Sequence, residues 1–476
     1  MLPRFALPCL LLAALGCDAD AGAGAGAQAP FEVAPGCNPL AAEHDCLLPF
    51  PSDFFLVADQ ALPSGKRVLL PEPAQPRTDD GKAVDLLAPH PADGFSPGNQ
   101  ILALFSQGID DTDLVGASAD LTRSLDPAAS PTLLVEAESG APVLHLAEID
   151  PRAEEDLRRA LVIRPLVRLQ EDHRYVVAIH GLRGKDGALL PAPEGFRRIR
   201  DGGETSHPSL APLAGRYDND IFAPLGLAGL ARAEVQLAWD FTVRSRENAV
   251  GDLCAVREQV IAYYASHAPA VKVVKVDEQP DKHTFRRITA SVEVPLFLED
   301  EAPGSRLARD AAGAVRQSGT VEVPFSVLVP KSVAALPPEA PPARLLQFGH
   351  GFFGGREEAN DLVAQLADER GFVVVAADWW GMSKEDVSPL LDQLTTDLGG
   401  TMLFTDRVHQ AMANFMAVAY AAAGPLLELP ELELGPSPLY DPAELHFYGL
   451  SQGAILGGTY VALSPHVERA VLGVGG

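Results

Sequence analysis

The sequence predicts two architectures in one chain of 476 residues. An all-β, sandwich-like domain comes first, and an α/β domain follows at the C-terminal end. Three observations predict this. Across residues 37–250, short apolar runs fenced by proline and glycine recur at the spacing of a β sandwich. From Val321 onward, β-branched runs too apolar to have a wet face alternate with helix-compatible stretches, as in central parallel strands. Finally, 41 prolines beside 42 glycines call for many turns and a large share of β structure.

Taken in order, residues 1–17, MLPRFALPCLLLAALGC, hold one basic residue, an apolar run and then small residues before Cys17. This reads as a secretory signal, too short to span a bilayer as a mature helix. Its ending, Ala14-Leu15-Gly16-Cys17, resembles a bacterial lipoprotein signal, which implies that Cys17 is lipidated and becomes the mature N-terminus. The alternative is an ordinary secretory signal cleaved nearby. Residues 18–36 begin with DADAGAGAGAQAP, an Ala/Gly tether with no means of forming a core. Cys37 and Cys46 lie close together in an exported chain and suit a small disulfide loop. Cys254 is then either a buried free thiol or a partner for one of those two.

Within residues 37–250, the runs PTLLVEAE, APVLHLAEI, RALVIRPL and YVVAIHGLRGKDGALLP repeat strand, turn, strand, and the region loosely resembles an immunoglobulin-like β domain. Asp110, Asp111 and Asp113 lack the glycine and the distant glutamate of a calcium loop and read as a solvated turn, so no metal ligand set is assigned. A net charge of −27 with no basic stripe argues against a nucleic-acid partner. Residues 251–282 read as a connecting helix, at Ala255 to His267, and a linker.

Residues 283–476 form the α/β part. His283 to Phe297 and Gly319 to Pro330 read as antiparallel strands. ARLLQFGHGFFGG (Ala343 to Gly355) is a short strand running into His350-Gly351-Phe352, followed by a helix-compatible stretch. FVVVAADWWG (Phe372 to Gly381) is a central strand, Thr405 to Ala423 a helix, and Glu468 to Gly476 a further strand. Leu445 to Gly458, LHFYGLSQGAILGG, organises the whole: a buried strand, a tight G-L-S-Q-G turn and the start of a helix, with Ser451 at the apex. A serine held at so strained a turn needs Gly449 and Gly453 on either side, because side chains there would collide with neighbouring backbone.

Strand, H-G turn, helix, strand, helix, strand and serine elbow together resemble the α/β-hydrolase superfamily, its lipase and esterase branch in particular, over Val321 to Gly476. The resemblance implies a nucleophile at Ser451. It also implies oxyanion donors at the N–H groups of Phe352 and Gln452, with His350, Gly351, Gly449 and Gly453 as the supporting motif. In this family the catalytic acid and then the histidine follow the serine on turns after later strands. Here the sheet reads as cut short after the strand that follows the elbow, so the chain is expected to be part of a longer hydrolase. His446 lies on the elbow strand roughly 16 Å from Ser451. His466, beyond the helix, is roughly 20 Å away. His409 lies in the preceding helix, and His350 shapes the oxyanion turn.

The expectation is therefore an exported, membrane-tethered bacterial lipoprotein that cleaves a carboxylic ester, lipid or otherwise apolar, through an acyl-enzyme on Ser451, with no cofactor. The alternative is a surface lipoprotein that keeps the fold without the activity. Three further features carry expectations. Trp379 and Trp380 either line an acyl pocket or pack under a loop. Asp378 is a structural carboxylate. Met382 to Met402 is either a lid or a surface loop.

Overall fold

A mixed sheet of seven strands carries the chain from residue 271 onward. In chain order these are β1 (Val271–Glu278), β2 (Thr284–Leu296), β3 (Gly319–Pro330), β4 (Ala343–Gly349), β5 (Phe372–Ala377), β6 (Tyr440–Leu450) and β7 (Arg469–Gly473). In space they run β7-β6-β4-β5-β3-β2-β1. The pairs β6/β7, β4/β6 and β4/β5 are parallel, while β5/β3, β3/β2 and β2/β1 are antiparallel. The protein is thus a mixed α/β protein with several sheets. This computed structural model describes residues 31–475. The expected signal, Cys17 and most of the 18–36 tether lie outside the described residues.

Parallel strands must be covered on both faces, and the pleat of β4, β5 and β6 provides for it. Leu345, Val373, Val375, Ala377 and Phe447 point into a large core, which also holds much of α1 (Arg246–Ser266) and of an Ala-rich helix described below. Their neighbours Leu346, Phe348, Val374 and Ala376 point the other way, onto Ala359, Val363 and Ala367. Those three belong to the helical turn Ala359–Val363 and to α2 (Ala364–Arg370). Next come α3 (Val387–Thr396) and α4 (Phe404–Ala422), the latter buried along most of its length, with Asp406, Arg407, Gln410 and Asn414 among its buried residues and an apolar run from Phe415 onward. Helix α5 (Gln452–Leu463) follows the elbow.

The chain passes from β4 to β5 on one side, then crosses back to β6 on the other side of β4. That makes β4 a topological switch point, and in open α/β sheets ligands bind beyond the carboxyl ends of the strands at such a point. The H-G turn and the serine elbow both leave from there.

Strand β1 lies within the stretch expected to be linker. Its alternating lysines and valines suit an exposed sheet edge, which the sequence pattern does not separate from a polar connection. Residues from Val33 onward form one compact unit. Its N-terminal part contains two three-stranded antiparallel sheets and a two-stranded ribbon, with helices such as Glu194–Asp201 between strands. The strand order alone does not define an immunoglobulin-like sandwich. Cys37 and Cys46 are disulfide-bonded, and Cys254 is a half-buried free thiol.

One half-buried acid links the short helical turn Asp53–Phe55 to this region. Asp53 accepts from the Thr242 N–H and hydroxyl, both at 2.6 Å. The adjacent Asp240 is gripped by both terminal nitrogens of Arg216 at 2.6 Å and by Arg174 at 3.0 Å. Burial, and then the Asp240 charge, push Asp53 up from 3.8 to about 6. Folding therefore favours its protonated form: the stability it contributes is complete below 3.8 and is lost as pH rises through about 6. Asp53→Asn keeps an acceptor for the amide and cannot ionise. It is expected to flatten the loss of stability between about pH 4 and pH 7 and to leave the variant about 1–3 kcal/mol more stable than the parent at pH 7. Urea denaturation at several pH values checks this; parallel curves for the two proteins would rule it out.

Candidate active site

Ser451 sits between β6 and α5 with φ 52° and ψ −120°, a conformation that L residues rarely adopt. Close backbone packing holds it there. A Cβ on Gly453 would lie 2.1 Å from the Gly349 carbonyl oxygen and 2.6 Å from that of His350; one on Gly449 would lie 2.1 Å from the Gly453 carbonyl oxygen. These contacts are backbone on backbone and have no flexible side chain to give way. They seat the first turn of α5 on the end of β4, where Gly449 pairs with Gly349 across the parallel ladder. The Ser451 N–H donates to the Gly473 carbonyl at 2.9 Å, which ties the elbow to β7 as well. The serine is exposed, and among the described residues its hydroxyl has no hydrogen-bond partner. Gln452 opens α5, so its N–H has no intrahelical acceptor.

The H-G turn lies beside it. His350 is fully buried. Its Nε2 accepts from the Trp379 N–H at 2.8 Å, which leaves Nδ1 protonated to donate to the Gly351 carbonyl at 2.8 Å. Burial holds its pKa below the ordinary 6.5, so the ring stays neutral. With both nitrogens engaged in shaping the turn, it is not a base for Ser451. The Gly351 N–H donates to Glu358 Oε2 at 2.9 Å. Asp378 accepts from the Arg356 N–H at 2.7 Å and pairs with the Arg356 guanidinium, bracing the far side of the turn. The Phe352 N–H has no acceptor among the described residues, and the Phe352 side chain is 63% exposed.

His446, His409 and His466 make their contacts away from Ser451. His446 pairs with Leu346 in the ladder, and its ring meets Phe372. His409 Nδ1 bonds to the Thr405 carbonyl within α4, and the His466 ring packs on Tyr420.

Trp379 is wholly buried beneath the sheet, stacked on Phe415 at 3.4 Å and 4°. It belongs to the core, not to a pocket wall. Trp380 is half-buried with the Arg407 guanidinium 4.3 Å above its ring. Arg407 also bonds Asp386 at 2.6 Å, anchoring the start of the Met382 to Met402 segment onto α4. Farther along, Leu394 to Gly400 form one wall of a cavity of about 940 Å³ whose other wall is residues 77–89. Neither Ser451, Phe352 nor Gln452 lines it. Sequence reasoning missed Glu358 and Arg356. The only signal for them is a charged pair closely following the Gly354-Gly355 step.

No family model matches this chain, and no curated protein matches it. Solved structures similar to it include a putative acetyl xylan esterase from Bacteroides fragilis (14% identity, 46% of this chain and 51% of that chain, TM-score 0.27). Others are acetyl xylan esterase 1 from Thermoanaerobacterium sp. (20%, 46% and 57%, TM-score 0.25) and a glucuronoyl esterase from Solibacter usitatus (14%, 45% and 57%, TM-score 0.24). The chain spans between 51% and 57% of the length of these structures.

The seat of α5 has a direct test. Gly453→Ala is expected to destabilise the protein by at least about 2 kcal/mol, because backbone would have to move on both sides. Gly458→Ala, whose Cβ would meet only Leu472 Cδ1 at 3.7 Å, is expected to be neutral or stabilising, by up to about 1 kcal/mol. Denaturant unfolding of the two variants side by side checks the contrast.

Proposed function

We propose that this chain carries the nucleophile and oxyanion elements of a serine hydrolase acting on carboxylic esters. The observation that carries this reading is the Ser451 backbone at φ 52° and ψ −120°, placing an exposed hydroxyl at the switch point of the sheet. In this reaction Ser451 Oγ attacks the ester carbonyl carbon as its proton passes to a base. The oxyanion takes hydrogen bonds from the Phe352 and Gln452 N–H groups. The carbonyl C–O bond then breaks, and the alcohol leaves with a proton. Water attacks the acyl-enzyme in the same way, releasing the acid and restoring the serine.

An apolar ester suits the surroundings: Phe352 stands 63% exposed beside the turn, and Ile455, in the first turn of α5, is 54% exposed. We also propose that the protein is exported and tethered by lipid at Cys17, a reading supported by the signal-like N-terminus and by the Cys37–Cys46 disulfide, a bond of oxidising compartments. The resemblance assigns the acid and base that activate Ser451 to turns after later strands. The unpartnered Ser451 hydroxyl and the doubly engaged His350 favour a second reading, a non-catalytic scaffold that binds through this surface.

A fluorescent phosphonate separates the two. The esterase reading expects covalent labelling of the full chain on the peptide that contains Ser451, and none in Ser451→Ala. An intact protein that stays unlabelled beside a reactive control esterase would leave the scaffold reading in place.

A further inference from the structure

We propose that Glu358 is the positioning residue of the oxyanion turn: by taking the Gly351 amide it leaves the Phe352 amide free to face the oxyanion. This rests on the reading of Ser451 as a nucleophile. Glu358 stands at the start of the helical turn Ala359–Val363, and its own N–H donates to the Gly355 carbonyl at 3.0 Å. From there its side chain turns back into the concavity of the Gly351–Gly355 loop. Oε2 accepts from the Gly351 N–H at 2.9 Å. Oε1 fills the space that Gly354 leaves open, since a Cβ on Gly354 would lie 1.8 Å from it.

The rest of the turn is pinned by other groups. The Gly351 carbonyl accepts from His350 Nδ1 and from the Gly354 N–H, the Gly354 carbonyl accepts from the Lys384 N–H, and Asp378 holds Arg356. Of the two successive amides of Gly351 and Phe352, Glu358 takes the first. A Cβ on Gly351 would be 3.6 Å from Glu358 Oε2 and 4.0 Å from the Leu450 carbonyl oxygen, so the carboxylate and the elbow strand flank the same residue. Were the Gly351 amide left without an acceptor, the turn would lose the contact that fixes the Gly351 N–H, and the Phe352 donor that follows it would be less firmly aimed.

The charge on Glu358 is a separate matter from its oxygen. A negative charge one residue from an oxyanion donor opposes the oxyanion that donor is meant to stabilise. The benefit of Glu358 therefore lies in accepting the hydrogen bond. Glu358→Gln keeps an acceptor of the same shape without the charge, whereas Glu358→Ala removes both.

The test is the rate of phosphonate labelling at Ser451 in the full chain. Relative to the parent, Glu358→Ala is expected to label about 10- to 100-fold more slowly, and Glu358→Gln at close to the parent rate. Glu358→Ala labelling as fast as the parent overturns the proposal, and so does Glu358→Gln labelling as slowly as Glu358→Ala. If the parent itself does not label, the hydrolase reading falls. Amide hydrogen exchange at Gly351 then decides the role of Glu358 alone: faster exchange in Glu358→Ala than in the parent and Glu358→Gln supports it, and equal exchange overturns it. Should Glu358→Ala fail to fold, Gly354→Ala takes its place, because the new methyl evicts the carboxylate. Slower labelling or faster Gly351 exchange supports the proposal, and parent-like behaviour in both overturns it.

Discussion

Where β4 and β6 end, two stretches of backbone approach more closely than any side chain permits, and the rest of the site depends on that contact. Gly453 rests on the Gly349 and His350 carbonyls, and Gly449 faces the Gly453 carbonyl. This brings α5 down onto the sheet and leaves Ser451 no relaxed conformation between the two. A residue at positive φ with ψ near −120° costs on the order of 1–3 kcal/mol. The parallel ladder between β4 and β6, the Ser451 bond to Gly473 and the core beneath the sheet hold it in place. The strain is therefore local, while the restraint is spread over the whole sheet.

Around the H-G turn, the charged and titratable groups act mainly on backbone. His350 is neutral and bonds one amide and one carbonyl; Asp378 grips the Arg356 amide as well as its guanidinium; Glu358 takes the Gly351 amide. Such bonds are stronger than neutral ones when one partner is ionised, and they leave the loop with few alternative conformations. Under the proposed hydrolase reading such a rigid turn would aim the Phe352 N–H in advance, and a donor aimed in advance needs no reorganisation when charge develops.

Much of this was legible in the sequence because it is local. The spacing of Gly449, Ser451 and Gly453 specifies a turn whatever surrounds it, and the β-branched run of β5 announces a strand covered on both faces. What remained hidden depends on partners distant in sequence. Strand β1 is an exposed edge, and Lys272, Val274 and Lys275 look like linker until β2 lies alongside. The fate of Trp379 is a matter of parity. It continues the series Val373, Val375, Ala377 into the large core, whereas Val374 and Ala376 face α2, and sequence alone does not say which face a pocket would use. Glu358 is illegible for a similar reason, since its side chain returns to a loop that its own helical turn leads away from. The Met382 to Met402 segment, expected as a lid or a surface loop, holds helix α3 over Val387–Thr396, and its cavity is shared with residues 77–89, a partnership no periodicity announces.

The stack of Trp379 on Phe415 has an optical consequence. The chain has three tryptophans: Trp239 donates its indole N–H to the Pro51 carbonyl among the N-terminal strands, Trp379 lies flat on a phenylalanine under the sheet, and Trp380 lies beneath a guanidinium. Each indole thus has its own quenching and polarity environment. Emission from Trp239 reports on the N-terminal strands, while Trp379 reports on the core beneath the elbow and Trp380 on the contact with Arg407 of α4. Removing them in turn separates those signals, so the order in which the two regions come apart can be read from the protein's own light without an added dye.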